Sequence, residues 1–328
     1  MKLEILPRFR LAFLPTPVAE LKRLHGALSD NPNAPRLLIK RDDLTGLAFG
    51  GNKTRKLEFL IGDAISQGCD SVVTGGAAQS NHCRQTAAAA ASAGMECHLV
   101  LGGTEPGEFT GNLLLDRILG AKISWNGDLR KGENIPVIAK QLRASGKQPY
   151  VIPYGGSNAI GAVGYVLAMI ELSEQLSQMK LKATHVVVAS SSCGTQAGLV
   201  LGARLFYPEV RVVGIRIDKD EIGITFEEQL IQIANETAQH IGVDENFTRS
   251  DFIVRDQYLG GGYGVVGELE RNAIQKLGEL EGIILDPVYT SRAFGGMLDL
   301  IEQDYFGKSD TVLFWHTGGG PAVFAESI

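Results

Sequence analysis

Gly50-Gly51-Asn52-Lys53-Thr54-Arg55-Lys56 joins a permissive glycine turn to the start of a helix. Beyond it Leu57, Leu60, Ile61 and Ala64 recur at helical spacing, so the lysine opens an amphipathic helix. Lys53 and Lys56 are three residues apart and share one helical face, with Arg55 on the same turn. A neighbouring cation lowers the pKa of a part-buried lysine, and a neutral lysine is what Schiff-base chemistry requires. The plain alternative is a helix start carrying solvated basic residues. A Walker A loop is excluded by spacing, because Asn52 stands between Gly51 and Lys53.

Outward from this stretch the chain alternates. Upstream, a Pro15-Thr16-Pro17 turn leads to a short helix around Glu20–Leu28 and a strand over Leu37–Lys40. Downstream, strands are expected at Ser71–Thr74, Cys97–Leu101, Ala121–Trp125, Tyr150–Pro153, Val186–Ala189, Val210–Ile215 and Val312–Trp315. Helices fall between them, at Gln79–Gly94, Leu113–Gly120, Pro136–Ser145, Gly161–Met179, Gly194–Phe206 and Phe226–Ile241, and another starts at Ser291. This order implies βαβ units, and strands lacking polar alternation imply parallel sheets covered on both faces. The expected fold is α/β, two-lobed, with open parallel sheets and flanking helices. Glycine turns near Lys53 and at Gly155–Asn158 bound a smaller α/β domain, 53–158, leaving 1–52 plus 159–328 as the larger one. Lys53 then lies in the cleft at the strands' carboxyl ends, where such folds bind ligands.

With 328 residues, 44% hydrophobic and 21% charged, the chain has the balance of an ordinary globular protein. A net charge of −6 without a long basic run argues against nucleic acid and anionic membrane as partners. No run approaches the ~20 apolar residues of a membrane span, and the first 14 residues are too charged for a signal core, so a cytoplasmic location is expected. Cys69, Cys83, Cys97 and Cys193 show no metal or disulfide spacing and fit reduced thiols.

Five further stretches carry polar chemistry at element ends. Ser190–Gly198 follows an apolar strand and opens a helix; Ser, Gly and Thr there let backbone N–H groups face a phosphate, or merely cap the helix. Gln79-Ser80-Asn81-His82 also opens a helix and suits a substrate carboxylate, or is a plain N-cap. Gly262-Tyr263-Gly264-Val265-Val266-Gly267 matches the dinucleotide fingerprint with Asp286 about twenty residues on, yet Arg255-Asp256-Gln257 before it makes a poor buried strand. It reads better as a glycine loop presenting Tyr263. Asp286–Thr290 and His316–Gly320 place Tyr289, Thr290 and Thr317 at element ends.

Taken together, Lys40–Asp43, Gly50–Lys53, Gln79–His82, Gly155–Ser157, Gly194–Gly198, Asp286–Tyr289 and His316–Gly319 resemble, in order, the D-cysteine desulfhydrase / 1-aminocyclopropane-1-carboxylate deaminase family. These are pyridoxal-phosphate enzymes of the tryptophan-synthase-β type of fold, and the resemblance runs nearly end to end. It implies that Lys53 carries pyridoxal 5′-phosphate and moves the α-proton. Asn81 would bond the cofactor's 3′-oxygen, and Ser80, with Asn81 and His82, the substrate carboxylate. Cys193, Gly194, Thr195, Gln196 and Ala197 would hold the phosphate, helped by Lys56. Tyr289 would stack on the ring, Tyr263 would face the substrate, and Thr290 and Thr317 would lie near the ring nitrogen. No metal is implied, and family members are generally homodimers. The cyclopropane deaminases carry glutamate where this chain has Thr290, and a carboxylate there keeps the ring nitrogen protonated. A neutral hydroxyl suits the easier α,β-elimination, so the expected reaction is D-cysteine to pyruvate, hydrogen sulfide and ammonia. The alternatives are L-cysteate sulfo-lyase, the cyclopropane deaminase, and, from another class, an NAD-binding or non-catalytic cofactor-binding protein.

Overall fold

The computed structural model describes residues 1–219 and 223–325; the last three residues of the expected larger domain lie outside them. The strands there are β1 (Val18–Glu20), β2 (Arg36–Arg41), β3 (Ser71–Gly76), β4 (Glu96–Leu101), β5 (Lys122–Trp125), β6 (Pro149–Val151), β7 (His185–Ser190), β8 (Arg211–Arg216), β9 (Ile253–Arg255) and β10 (Thr311–His316). The helices are α1 (Lys22–Ala27), α2 (Lys53–Ser66), α3 (Asn81–Ser92), α4 (Gly111–Ile118), α5 (Ile135–Ala144), α6 (Ala159–Gln178), α7 (Gly194–Phe206), α8 (Phe226–Ile241), α9 (Glu268–Glu281) and α10 (Thr290–Glu302). They form two sheets, one in the order β1-β2-β10-β7-β8-β9 and one in the order β5-β4-β3-β6. All neighbours are parallel except β1 and β2.

Helix α2 serves both sheets. Leu57, Leu60, Ile61 and Ala64 enter the core over the four-stranded sheet, while Phe59 enters the core beneath the six-stranded one. Helix α6 then lies so close that a Cβ on Gly164 would come within 2.3 Å of the Arg55 carbonyl oxygen. Below this contact Asp42 is fully buried and accepts from Arg55 Nε (2.9 Å), Arg55 Nη2 (2.8 Å), Tyr165 Oη (2.7 Å) and Trp315 Nε1 (2.9 Å). Burial pushes its carboxyl up, but the Arg55 guanidinium outweighs that and leaves its pKa at about 2. Removing one partner of such a pair costs about 3–5 kcal/mol, so this knot fixes where α2 begins.

Several expectations change in detail. Glu20 is in a strand rather than a helix, because Val18–Glu20 pairs with β2 and Arg36 Nε donates to Glu20 Oε1 at 2.7 Å. Gly75 and Gly76 are the last two residues of β3, extending the ladder two residues past Thr74; a Cβ on Gly75 would stand 2.6 Å from Gly132 Cα. The edge strand β9, three residues long, has no sequence signal of its own. Helix α6 is, by length and composition, apolar enough to cross a membrane, contrary to the expectation that no segment comes near. Its apolarity has a local cause: it is packed between α2 and α7, with Ala162, Val163, Tyr165, Val166 and Met169 all buried in the core.

Candidate active site

A cleft with about 580 Å³ of open space is lined from both sheets. Segments after β3 and β6 supply Ser80, Asn81, His82, Tyr154 and Gly155; the end of β7 and the segments after β7 and β10 supply Ala189–Cys193, Thr195, Thr317 and Gly318; Asn52, Lys53 and Tyr289 complete it.

Lys53 Nζ donates to Asn52 Oδ1 at 3.0 Å. Burial lowers its pKa to about 8, with Asp286 opposing. The sequence points to a second cation as the cause, but Arg55 is turned away into the Asp42–Glu171 knot. Lys56 is itself pushed well down, by burial first and Lys53 second. Lys56 does not line the cleft but stands behind it: its Nζ donates to Gly155 O (3.1 Å) and Ser157 Oγ (3.0 Å), and Ser157 Oγ meets Ser192 Oγ at 2.8 Å. Asn52 ties the lysine turn to its surroundings: its N–H donates to Thr317 O (2.9 Å) and its Nδ2 to Thr195 Oγ1 (3.1 Å).

At the start of α7, Cys193 holds φ +65°, which turns the chain from β7 into the helix. Its thiol points to Gln229 Oε1 at 3.2 Å, away from the loop's backbone N–H groups. Gly194 N–H faces Ser157 Oγ at 3.3 Å, and a Cβ there would clash with that oxygen at 2.7 Å. The Ala197 N–H closes the first turn onto Cys193 O (2.9 Å), so it is committed within the helix. The Gln196 side chain runs under β8 and donates to Ile253 O at 3.0 Å. Of the expected five, Gly194 N–H is likewise taken, by Ser192 O (2.8 Å), so the backbone N–H groups of Thr195 and Gln196 are what the helix end presents.

Ser80 caps α3 by accepting from Cys83 N–H at 3.2 Å. Asn81 Oδ1 accepts from Asn112 Nδ2 (2.8 Å), which turns the Asn81 amide nitrogen toward Gly319. His82 is neutral: burial, with Lys53 and Lys56, pushes its pKa well down, and its Nε2 meets Thr74 Oγ1 at 2.8 Å. Opposite, Tyr263 and Tyr289 share a 2.5 Å hydroxyl contact. Burial raises both pKa values, Tyr263 to about 12, so both keep their protons near neutral pH. The Tyr289 turn is held by the buried Asp286 carboxylate, which accepts from the backbone N–H of Val288 (3.1 Å), Tyr289 (3.0 Å) and Thr290 (2.7 Å). Thr290 is not brought to the cleft: its hydroxyl donates to Asp286 Oδ1 at 2.6 Å and accepts from Asp286 N–H at 2.7 Å. Thr317 is brought there. The Gly262–Gly267 stretch is a loop separated from β9 by residues 256–261, not a strand-to-helix turn, which removes the dinucleotide reading.

Residues 9–318 match the family described as pyridoxal-phosphate dependent enzyme. The chain belongs to that family. It is 42% identical over 333 residues to a protein named D-cysteine desulfhydrase from Yersinia enterocolitica serotype O:8 / biotype 1B, covering 99% of this chain and 97% of the relative. A second D-cysteine desulfhydrase, from Serratia proteamaculans (strain 568), is 40% identical over 330 residues with the same coverage. The solved structure titled an ACC deaminase homologue superposes with a TM-score of 0.88 at 39% identity, over 98% of this chain and 95% of that one. The processed form of threonine deaminase isoform 2 from Solanum lycopersicum, at 16% identity and a TM-score of 0.68 over 97% and 82%, shares the fold.

The cofactor of this pyridoxal-phosphate enzyme fits the donor set. Among the described residues the cleft lining holds hydroxyls, amides, backbone N–H groups and one lysine, and no carboxylate, which suits a phosphate dianion. Ser190 Oγ is buried there without a hydrogen-bond partner among the described residues, as a group awaiting a ligand would be. Tyr154 and Asn112 carry no role in the sequence reading, which names Ser190 only as part of the phosphate stretch and Asn52 only as part of the lysine turn. Tyr154 alone has a usable signal, since it sits between a strand and the Gly155-Gly156 turn; Asn112 has none, because its contact to Asn81 spans 31 residues.

Proposed function

We propose that this pyridoxal-phosphate enzyme is a D-cysteine desulfhydrase acting on D-cysteine as a cytoplasmic homodimer. The relatives bearing that name at about 40% identity over the whole length support the substrate, and the buried, partly neutral Lys53 in a carboxylate-free cleft carries the chemistry. D-Cysteine loses its Cα proton and hydrosulfide, and one water converts the 2-aminoacrylate so formed to pyruvate and ammonia. When bound, pyridoxal phosphate is the electron sink that takes the pair left by the Cα proton.

Lys53 Nζ is the attachment point and, once free, the base for the Cα proton, since a pKa of about 8 leaves a useful neutral fraction. The α7 N-terminus, Ser190 and Thr195 hold the phosphate, with Lys56 bracing Gly155 and Ser157 behind it. The Asn81 amide nitrogen, left free to donate because its oxygen accepts from Asn112, would bind the cofactor's 3′-oxygen. Ser80 and the first N–H groups of α3 take the substrate carboxylate, with neutral His82 beside them. The Tyr263–Tyr289 pair, protonated on both oxygens, would donate to the departing sulfur, and Tyr289 and Thr317, both lining the cleft, would help hold the cofactor ring. Thr290 acts at one remove, through Asp286 and the Tyr289 turn; a glutamate there would oppose the Asp286 carboxylate at contact distance, so this pocket is built for a hydroxyl.

Residues 53–158 form the smaller lobe in this reading, supported by β3–β6 making a sheet of their own. The second copy docks on the apolar groove of Leu114, Ile284, Phe49 (68% exposed) and Phe324 (82% exposed), which sedimentation of the purified protein tests. Sulfide, sulfite and ammonia release should be measured with D-cysteine, L-cysteate and 1-aminocyclopropane-1-carboxylate. Sulfide from D-cysteine far exceeding the other products is expected; preferential sulfite, or ammonia from the cyclopropane, overturns the assignment.

A further inference from the structure

The loop between β5 and α5 sends Arg130 from the four-stranded sheet to the six-stranded one. Arg130 Nη1 and Nη2 donate to Asp218 Oδ2 (3.0 Å) and Oδ1 (2.8 Å), a bidentate pair. Asp218 follows β8, and its side chain is 3% exposed. The same guanidinium lies over the Tyr263 ring, 4.2 Å from its centroid, and Tyr263 in turn holds Tyr289 through its hydroxyl. The loop is packed rather than draped. A Cβ on Gly102 would stand 2.7 Å from Arg130 Cβ, and one on Gly132 would stand 3.2 Å from Gly75 Cα. The glycines at the ends of β3 and β4 therefore admit this loop, a role their sequence positions do not disclose.

We infer that Arg130 is a positioning residue: anchored on Asp218, it joins the two lobes and sets the Tyr263 ring so that its hydroxyl meets Tyr289 in the cleft. This rests on the reading that the tyrosine pair belongs to the reaction site. A stacked guanidinium fixes the ring's plane as well as its charge environment, which an ammonium cannot do. The ionisable groups acting on Tyr263 are Tyr289, Arg130, Asp218 and Asp286, with Tyr154 beside them, so Arg130 is the cation of the set.

The test uses holoenzyme of Arg130→Gln, Arg130→Lys, Asp218→Asn and the Arg130→Gln/Asp218→Asn double variant. Each single variant is expected to lose about tenfold in kcat with the KM for D-cysteine within about twofold, and the double variant to lose no more than the worse single one. Arg130→Lys should not rescue. The visible circular dichroism of the bound cofactor should change in the direction that Tyr263→Phe changes it, and amides of residues 127–134 should exchange faster in Asp218→Asn. Unchanged kcat in Arg130→Gln, additive losses in the double variant, or full rescue by lysine with an unaltered dichroism band would overturn the inference. If Arg130→Gln does not fold, Asp218→Asn and Gly102→Ala, which displaces the loop without touching charge, give the same readouts. Should the wild type release no sulfide from D-cysteine, the substrate assignment fails, while exchange and dichroism still decide the role of Arg130.

Discussion

Lys53→Met is expected to stabilise the cofactor-free protein at neutral pH. The lysine's pKa falls from 10.5 to about 8, chiefly through burial. That drop corresponds to a cost of about 3 kcal/mol for holding the charged amine in the folded state, and partial solvent access trims it to about 2–3 kcal/mol. Below pH 8 both folded and unfolded chains carry the proton, so the wild type bears the full cost. Between pH 8 and 10.5 the unfolded chain binds more protons than the folded one, and wild-type stability rises with pH. Above that window both are neutral and the cost is gone. Methionine fills a similar volume without the charge. Urea unfolding of both apoproteins at pH 7, 9 and 10.5 should show the variant ahead by about 2–3 kcal/mol at pH 7, with the gap shrinking toward zero at the highest pH. A variant no more stable at pH 7, or an advantage independent of pH, would refute the claim that burial holds this amine toward neutrality.

Asp286→Asn should lower stability by about 2–4 kcal/mol, since an amide nitrogen replaces an oxygen that now accepts backbone N–H groups; thermal unfolding checks it, and kcat should fall with it because Tyr289 loses its turn. Ser190→Ala should leave apoprotein stability within about 0.5 kcal/mol yet weaken cofactor binding severalfold, read by equilibrium dialysis. Gly198→Ala should cost about 1–3 kcal/mol, because the new methyl would meet Ala162 O at 2.4 Å, and chemical denaturation measures it.

The alternation of apolar strands and helices was legible because each element is dictated locally, and α7 and α8 have the bounds expected from their spacing. Gly50–Lys56 and Ser190–Gly198 were legible for the same reason: a turn and a helix start announce themselves in consecutive residues. What stayed hidden depends on distance along the chain. Lys53's lowered pKa comes from burial rather than from its neighbours Lys56 and Arg55, and burial is not written in a heptapeptide. Thr290 reads as a cleft hydroxyl from its place beside Tyr289, but the turn folds it back onto Asp286. Arg130 and Asp218, 88 residues apart, meet only when the two sheets do.

The account stands on covalent attachment of the cofactor at Lys53. Borohydride reduction of the native holoenzyme, tryptic digestion and mass spectrometry test this directly. A phosphopyridoxyl adduct on the peptide Asp42–Arg55, uncleaved after Lys53, is the result expected; an adduct at Lys56 or any other lysine, with Lys53 unmodified, would contradict it.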